Sequence, residues 1–145
     1  MKLSGSYHLP ASPQQVWDLF NDPARLAQCF PGCEKLEPVG PDKYKVAIKF
    51  ALAAFSGSYT GSVQLSEKHP PESMRMLVEG KGTPGFMKGE GRLTLTASGK
   101  DTTVHYEGQA QVGGLIAAVG QRMIEAAARK IVQQFFASAG KQLQP

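Results

Sequence analysis

The sequence predicts an α+β fold in which a curved, seven-stranded antiparallel sheet wraps around a long C-terminal helix, with two short helices after the first strand. Apolar and polar residues alternate through most of residues 33–112, which is the period of half-buried strands. In residues 115–141 the apolar positions recur every three or four residues, as on one face of a helix. The 145 residues, 41% of them hydrophobic, predict a single domain over 1–145 that needs neither disulfides nor a metal.

The first elements are one strand and two short helices. The strand alternates polar and apolar residues and ends at Pro10. Each helix begins with a residue that commonly caps helix N-termini, followed by proline, in Ser12-Pro13 and Asp22-Pro23. These signals predict a strand at Lys2–Leu9 and helices at Gln14–Phe20 and Ala24–Gln28.

Six more strands follow, and their short connections predict an antiparallel meander. Turn-forming residues separate several of them, as in Gly40-Pro41-Asp42. The Gly-rich stretch Pro84–Gly89 is predicted to be a flexible loop between the fifth and sixth strands of the sheet. The six strands are predicted at Glu34–Val39, Tyr44–Leu52, Phe55–Leu65, Ser73–Gly82, Gly91–Ala97 and Thr103–Val112.

The last element is an amphipathic helix from about Leu115 to Lys141. Its polar stripe includes Glu125 and Arg129, which have the favourable i, i+4 spacing. At about 1.5 Å per residue the helix is roughly 40 Å long, enough to cross a small sheet. A sheet with one apolar face can bury both that face and the helix by curling around the helix, which is the helix-grip arrangement.

Small residues on the predicted inner surfaces leave space between sheet and helix. Gly61 and Gly108 lie on the inner face of the sheet, and Gly120 lies on the facing helix. This pattern indicates an apolar cavity for a small hydrophobic ligand. The alternative is that the glycines mark bends in a curved sheet whose interior is filled by side chains. The predicted ligand-binding residues are Trp17, Phe20, Phe50, Tyr59, Met74, Met76, Tyr106, Val119, Gly120, Met123 and Ile124.

The sequence offers no catalytic or metal-binding motif, and the protein is predicted not to be an enzyme. The three histidines, His8, His69 and His105, have no carboxylate or nucleophile at motif spacing. Cys29 and Cys33 form a CxxxC pair without a second pair or a nearby histidine. They are interpreted as reduced thiols in a turn, with a redox role as the alternative.

Two apolar stretches occur where a sheet protein normally has polar turns. One is the predicted hairpin tip Phe50–Phe55, and the other is the loop Pro84–Gly89. Apolar tips beside lysines suit docking at a membrane interface or on a partner, or else they fold over the cavity mouth as a lid. The predicted membrane or partner contacts are Leu52, Phe55, Phe86, Met87 and Lys88.

Charge and targeting signals narrow the function class. The net charge of +4 is too small to indicate nucleic-acid binding but is compatible with an anionic membrane surface. The N-terminus has no apolar stretch of signal-peptide length, and no window has the roughly 18 consecutive apolar residues of a spanning helix. The expected location is cytoplasmic, with a peripheral position at the inner face of the membrane as a further expectation.

Several short motifs resemble those of a known family. The order of elements is similar to the START-like, birch-pollen-allergen-like (SRPBCC) superfamily, and more narrowly the chain resembles the CoxG family of carbon monoxide dehydrogenase subunits. The resemblance extends over essentially all 145 residues. Its motifs are Pro13-x-x-Val16-Trp17, Asp22-Pro23, Pro31-Gly32-Cys33, Tyr59-x-Gly61, Gly120-Gln121-Arg122-Met123-Ile124 and Phe135-Phe136.

The resemblance implies an accessory protein of a molybdenum-containing carbon monoxide dehydrogenase or related hydroxylase. Members of the family are implicated in recruiting that enzyme to the membrane, and a quinone or lipid would suit the cavity; no covalently bound cofactor is expected. Longer members continue to an apolar anchor, whereas this sequence stops at Gln144-Pro145, so transient membrane contact is expected. The alternative is a small START-like enzyme, a cyclase or hydrolase, with polar groups inside the cavity.

Overall fold

A computed structural model describes residues 1–51 and 55–144. It confirms the predicted α+β fold, with seven antiparallel strands in one sheet of order β1-β7-β6-β5-β4-β3-β2 and a long C-terminal helix. The strands are β1 Lys2–Leu9, β2 Cys33–Gly40, β3 Lys43–Phe50, β4 Gly57–His69, β5 Ser73–Gly82, β6 Gly85–Ser98 and β7 Asp101–Gly113. The helices are α1 Pro13–Phe20, α2 Pro23–Cys29 and α3 Gln121–Leu143, and a 3₁₀ segment spans Leu115–Val119.

The predicted helix starts are present as capping interactions. The Ser12 hydroxyl accepts a hydrogen bond from the Gln15 N–H, and the Gln15 side chain accepts one from the Ser12 N–H at 3.0 Å. The Asp22 carboxylate accepts from the N–H of Ala24 at 3.0 Å. Each cap satisfies backbone donors that the first helical turn leaves unpaired, which starts both helices where the sequence indicates.

The stretch Pro84–Gly89 is not a loop, which corrects the prediction from its glycine content. A tight turn pairs Gly82 with Gly85, and the chain then continues directly as β6. Residues of β6 pair with β5 on one side and β7 on the other, so that Phe86 lies between Lys81 and Gly113. Ladder hydrogen bonds on both sides hold this segment despite its low strand propensity.

The C-terminal helix begins later than predicted. Gly120 has φ of 95°, a left-handed conformation that interrupts the helix and that glycine adopts without steric cost. The chain before it, Leu115–Val119, is the 3₁₀ segment, and α3 begins only at Gln121. The apolar spacing of residues 115–141 therefore continues across a break in the backbone.

Most of the buried apolar residues in the described part of the chain form two separate clusters. The main core joins α1, α2, the sheet and the C-terminal half of α3, and includes Phe20, Phe135 and Phe136, whose rings pack against one another. The second, smaller cluster consists of Phe55, Ile116, Ile124 and Ala127. The space between these two clusters is where the candidate site lies.

Candidate functional site

A cavity of about 260 Å³ lies between the inner face of the sheet and α3. Its walls include partly buried members of the main core, such as Met76 and Val132, and members of the second cluster, such as Phe55 and Ile124. The cavity thus separates the packed side chains of the main core from those of the second cluster. The volume is close to the lower end of the usual range for ligand pockets, about 300–1,000 Å³.

The floor of the cavity is a block of four small residues on the two adjacent strands β6 and β7. Gly89 is paired with Ala110, and Gly91 is paired with Gly108. All four line the cavity, and the alternation of the strands turns the neighbouring charged residues to the other face. Because three of the four have no side chain, the floor is largely bare backbone. We call these four residues the small-residue floor.

The opposite wall is one face of α3. The lining residues recur at the helical spacing of three or four, which places them on a single stripe. Ala128 leaves room beside its larger neighbours, and Phe135 closes the far end of the stripe. The lining residues of α3 are Ile124, Ala128, Ile131, Val132, Phe135 and Phe136.

The remaining walls are aromatic and sulfur-containing side chains with few polar groups. Tyr106 lines the cavity and stacks on Phe136 with ring centroids 5.7 Å apart. Phe30 packs edge-on against Phe135 at 5.1 Å. The carboxylates of Glu90 and Glu107 belong to outward positions of β6 and β7. Among the described residues, the cavity therefore has the chemistry to hold an apolar molecule; the hydroxyl of Tyr106 lies over Gly5 on β1, where a Cβ would be 2.9 Å from it.

Four of the eleven predicted ligand-binding residues line this cavity: Phe50, Met76, Tyr106 and Ile124. The other seven lie elsewhere, so the structure corrects their predicted placement. Trp17, Phe20 and Met74 are buried in the main core, where neighbouring side chains pack against them. On the side of α3, the Met123 side chain is 50% exposed, Val119 packs against the second cluster, and a Cβ at Gly120 would face open space.

Tyr59 has a supporting position instead of a lining one. Its buried hydroxyl donates a hydrogen bond to the carbonyl oxygen of Phe55 at 2.9 Å, and burial raises the pKa of this phenol. Phe55 in turn lines the cavity. Tyr59 thus holds the backbone at a residue that forms part of the wall.

The predicted membrane or partner contacts divide into two groups. Phe55, Met87 and Lys88 line the cavity, and Phe55 is only 4% exposed, which corrects its predicted exposure. Phe86 is half exposed on the other face of β6. Leu52 lies outside the described residues. One β-strand therefore directs Met87 inward and Phe86 outward.

The sequence prediction misses the part of the floor that lies on β6. It assigns Gly89 to a loop and Gly91 to the start of a strand, so neither is included in the predicted site. The sequence does contain the alternation that indicates a strand here. Small or apolar residues alternate with polar or exposed ones at Gly85, Met87, Gly89, Gly91 and Leu93. Extending the period of two N-terminally from Leu93 places both glycines on the inner face.

Gly61 shows the alternative role for an inward glycine. A Cβ at Gly61 would lie 1.7 Å from the carbonyl oxygen of Glu79, so this glycine permits a close approach of β4 and β5. A Cβ at Gly89 would instead meet its nearest atom at 3.7 Å. An inward glycine of this sheet can therefore permit the close approach of two strands, as at Gly61, or leave room above the sheet, as at Gly89.

The described part of the chain pairs His8 with the Asp101 carboxylate at 2.8 Å on the surface. No group of three His, Cys, Asp or Glu side chains among the described residues is placed to hold a metal ion. Both cysteines are free, and burial raises the pKa of the Cys29 thiol to about 12. A thiol that stays protonated at neutral pH is a poor nucleophile.

A second concavity of about 460 Å³ lies on the outer face of the sheet and is polar. Both of its arginines are paired with carboxylates: Arg75 contacts the carboxylates of both Glu90 and Glu67, and Arg92 contacts Glu67 at 3.4 Å. Although this concavity is larger, its arginines are already neutralised by neighbouring carboxylates. The apolar cavity is the better candidate site.

None of the helices within residues 1–51 and 55–144 combines the length and apolarity that a membrane crossing requires.

Comparisons with known proteins agree with this geometry. A conserved protein from Geobacillus kaustophilus has a structure similar to this one, with a TM-score of 0.95 and 35% sequence identity over 99% of this chain and 95% of that chain. A START superfamily protein from Mycobacterium smegmatis has a TM-score of 0.80 at 13% identity, over 98% of this chain and 96% of the other, and shows the shared fold. No functionally curated protein matches the sequence. The sequence model of the CoxG subunit of carbon monoxide dehydrogenase matches residues 5–144, and the chain belongs to that family.

Proposed function

We propose that this protein binds an apolar ligand, a quinone or a lipid, in the cavity between the sheet and α3. As an accessory protein it would recruit a molybdenum-containing carbon monoxide dehydrogenase or a related hydroxylase to the membrane. The observation that carries the proposal is the apolar cavity with its small-residue floor. Membership of the CoxG family supports the association with a dehydrogenase and suggests an accessory protein that binds a ligand.

The size and chemistry of the cavity favour a particular kind of ligand. Burying apolar surface contributes about 25 cal/mol per Å², and the walls are apolar on nearly every side. A volume of about 260 Å³ suits a ring system with the start of its tail, or a segment of an acyl chain.

Binding is favoured over catalysis by the placement of the charged side chains. An enzyme of this fold needs titratable groups that converge inside the cavity. Among the described residues, Lys88, Glu90 and Glu107 line the cavity from outward positions of β6 and β7, and Lys88 pairs with Glu79 at 3.5 Å. These groups would approach a ligand mainly through their backbone.

The proposed membrane contact is supported by exposed apolar residues at one end of the molecule. Phe86 is 50% exposed and Leu115 is 75% exposed, and the pairing of Phe86 with Gly113 places both at the same end of the sheet. Lys81 is the cross-strand neighbour of Phe86. Exposed apolar groups beside lysines suit an anionic membrane surface.

The binding part can be tested on the purified protein in two steps. Native mass spectrometry should detect a co-purified apolar ligand, and the free protein should then bind the apolar dye N-phenyl-1-naphthylamine. Ala128→Leu should weaken dye binding, because the larger side chain enters the cavity. Ala126→Leu is the matched control, since Ala126 is exposed on the same helix. Equal affinity of the two variants would refute the cavity as the binding site.

A further inference from the structure

The 3₁₀ segment Leu115–Val119 is flanked at both ends by glycines with positive φ. Gly114, after β7, has φ of 80°, and Gly120, before α3, has φ of 95°. Glycine adopts these conformations without the penalty that other residues have. The segment is thus joined to the sheet and to α3 through two positions at which the backbone can rotate with little steric resistance.

Two side chains fasten this segment to the second cluster: Ile116, which is buried, and Val119, which is partly buried. Ile116 is 3% exposed, and its N–H donates to the carbonyl oxygen of Pro84 at 2.8 Å. Leu115 is 75% exposed, and both Ala117 and Ala118 are exposed as well. Losing the contacts of Ile116 would therefore remove the buried anchor of the segment and leave the partly buried Val119.

Ile116 fits against bare backbone on the sheet side. A Cβ at Gly85 would lie 2.9 Å from Cγ1 of Ile116, so the absence of a side chain at Gly85 makes room for it. Gly114 likewise approaches Gly85, where a Cβ on Gly114 would lie 2.7 Å from the Gly85 Cα. The segment therefore packs closely against the sheet, but through few residues.

The cluster into which Ile116 inserts forms one end wall of the cavity. Ile116 belongs to the second cluster with Phe55 and Ile124, against which Met87 and Val112 also pack. Phe55, Ile124, Met87 and Val112 all line the cavity, and Ile116 stands behind them. Because this cluster is separate from the main core, it can loosen while the main core stays packed.

We propose that Leu115–Val119 is a lid, with Gly114 and Gly120 as its hinges and Ile116 as its latch, through which an apolar ligand enters and leaves the cavity. This inference rests on the proposed function only in taking the cavity as the binding site. Opening removes the packing of Ile116 behind this end wall, so that the wall can loosen, and leaves the small-residue floor and α3 in place. The lid therefore controls the rate of exchange more than the affinity.

Release of N-phenyl-1-naphthylamine from the loaded protein tests this directly. Ile116→Ala should speed release by about tenfold or more in stopped-flow dilution, because truncating a buried isoleucine removes most of its packing. Leu115→Ala is the matched control on the same segment and should release the dye at the wild-type rate, since its side chain is exposed. Equal release rates for a folded Ile116→Ala variant and the wild type would overturn the lid.

Amide hydrogen exchange of the unmodified protein gives a second test that needs no ligand. The Ile116 amide should exchange much faster than that of Val104, in the middle of β7, which opens only with the sheet. Equal protection of the two amides would overturn the lid as well. If the dye does not bind the wild type at all, the proposed function fails, and amide exchange then decides the lid alone.

Discussion

At the scale of single residues, the cavity depends on positions that lack a side chain but have room for one. A Cβ at Gly89 would meet the Gln109 carbonyl oxygen at 3.7 Å and the Ala110 Cβ at 4.0 Å, which are ordinary contacts. A Cβ at Gly108, beside it on the small-residue floor, would lie 2.2 Å from the Glu90 carbonyl oxygen. Only the first position can accept a larger residue without moving backbone.

We therefore predict that Gly89→Val blocks the cavity and keeps the fold. Valine suits a central strand, and replacing a strand glycine should leave the free energy of unfolding unchanged or raise it by about 0.5–1 kcal/mol. Dye affinity should fall by about tenfold or more as the side chain fills the binding volume. Denaturant unfolding and dye titration measure the two effects. Thr96→Val, outward on β6, is the control, and unchanged affinity in Gly89→Val would contradict the prediction.

Cys29 gives a prediction about pH. Burial raises the pKa of its thiol from an ordinary value near 9 to about 12. Above pH 9 the unfolded chain loses this proton before the folded chain does, so Cys29 lowers stability as the pH rises from about 9 to 12. Cys29→Ala should show a smaller loss of unfolding free energy over pH 8–10 than the wild type. Parallel stability curves for the two proteins would show that the buried thiol is not responsible.

At the scale of elements, much of the architecture could be predicted because period and caps are local signals. The strand β1 and the starts of α1 and α2 follow from alternation and from Ser12 and Asp22. The break at Gly120 could not be predicted, since apolar spacing continues through it and its φ depends on how Ile116 is anchored. The same limit applies to Pro84–Gly89, where pairing on both sides overrides a composition typical of loops.

The break also changes what a substitution at Gly120 should do. A side chain there would meet open space and not the cavity, but it would have to adopt a φ of 95°. Gly120→Ala should therefore lower the free energy of unfolding by about 1 kcal/mol while dye affinity remains that of the wild type. Thermal unfolding and dye titration measure both. A large loss of affinity without a loss of stability would place Gly120 in the cavity after all.

The site is less predictable than the fold because the alternation of apolar and polar residues along a strand does not show how deeply an inward side chain is buried. Alternation identifies the inward face, and it places Met74 and Met76 there correctly. It does not show that Met74 is covered by neighbouring side chains whereas Met76 borders empty space. That difference arises from curvature of the sheet and from the path of α3, which involve residues far apart in the sequence.

At the scale of the whole molecule, two of the exposed large apolar residues lie on the end that carries the lid. Phe86 and Leu115 protrude there, with Lys81 on the adjoining strand β5 and Lys88 on the same strand as Phe86. Met87, which the sequence predicts beside Phe86 on this surface, lines the cavity instead. A ligand that leaves through the lid would thus emerge next to the surface proposed to touch the membrane.

This arrangement predicts weak, salt-sensitive membrane binding. Each inserted apolar side chain contributes about 1.5–3 kcal/mol at most, and each lysine near an anionic surface about 1 kcal/mol. Two of each would give roughly 5–8 kcal/mol before orientational costs, which corresponds to reversible binding. Phe86→Ser with Leu115→Ser should abolish co-sedimentation with anionic liposomes, and high salt should weaken co-sedimentation of the wild type.

Val39→Ser, at a similarly exposed residue on the edge strand β2, is the control. If the wild type ignores anionic liposomes at low salt, the membrane part of the proposal is wrong, and this end is better explained as a surface for docking the dehydrogenase.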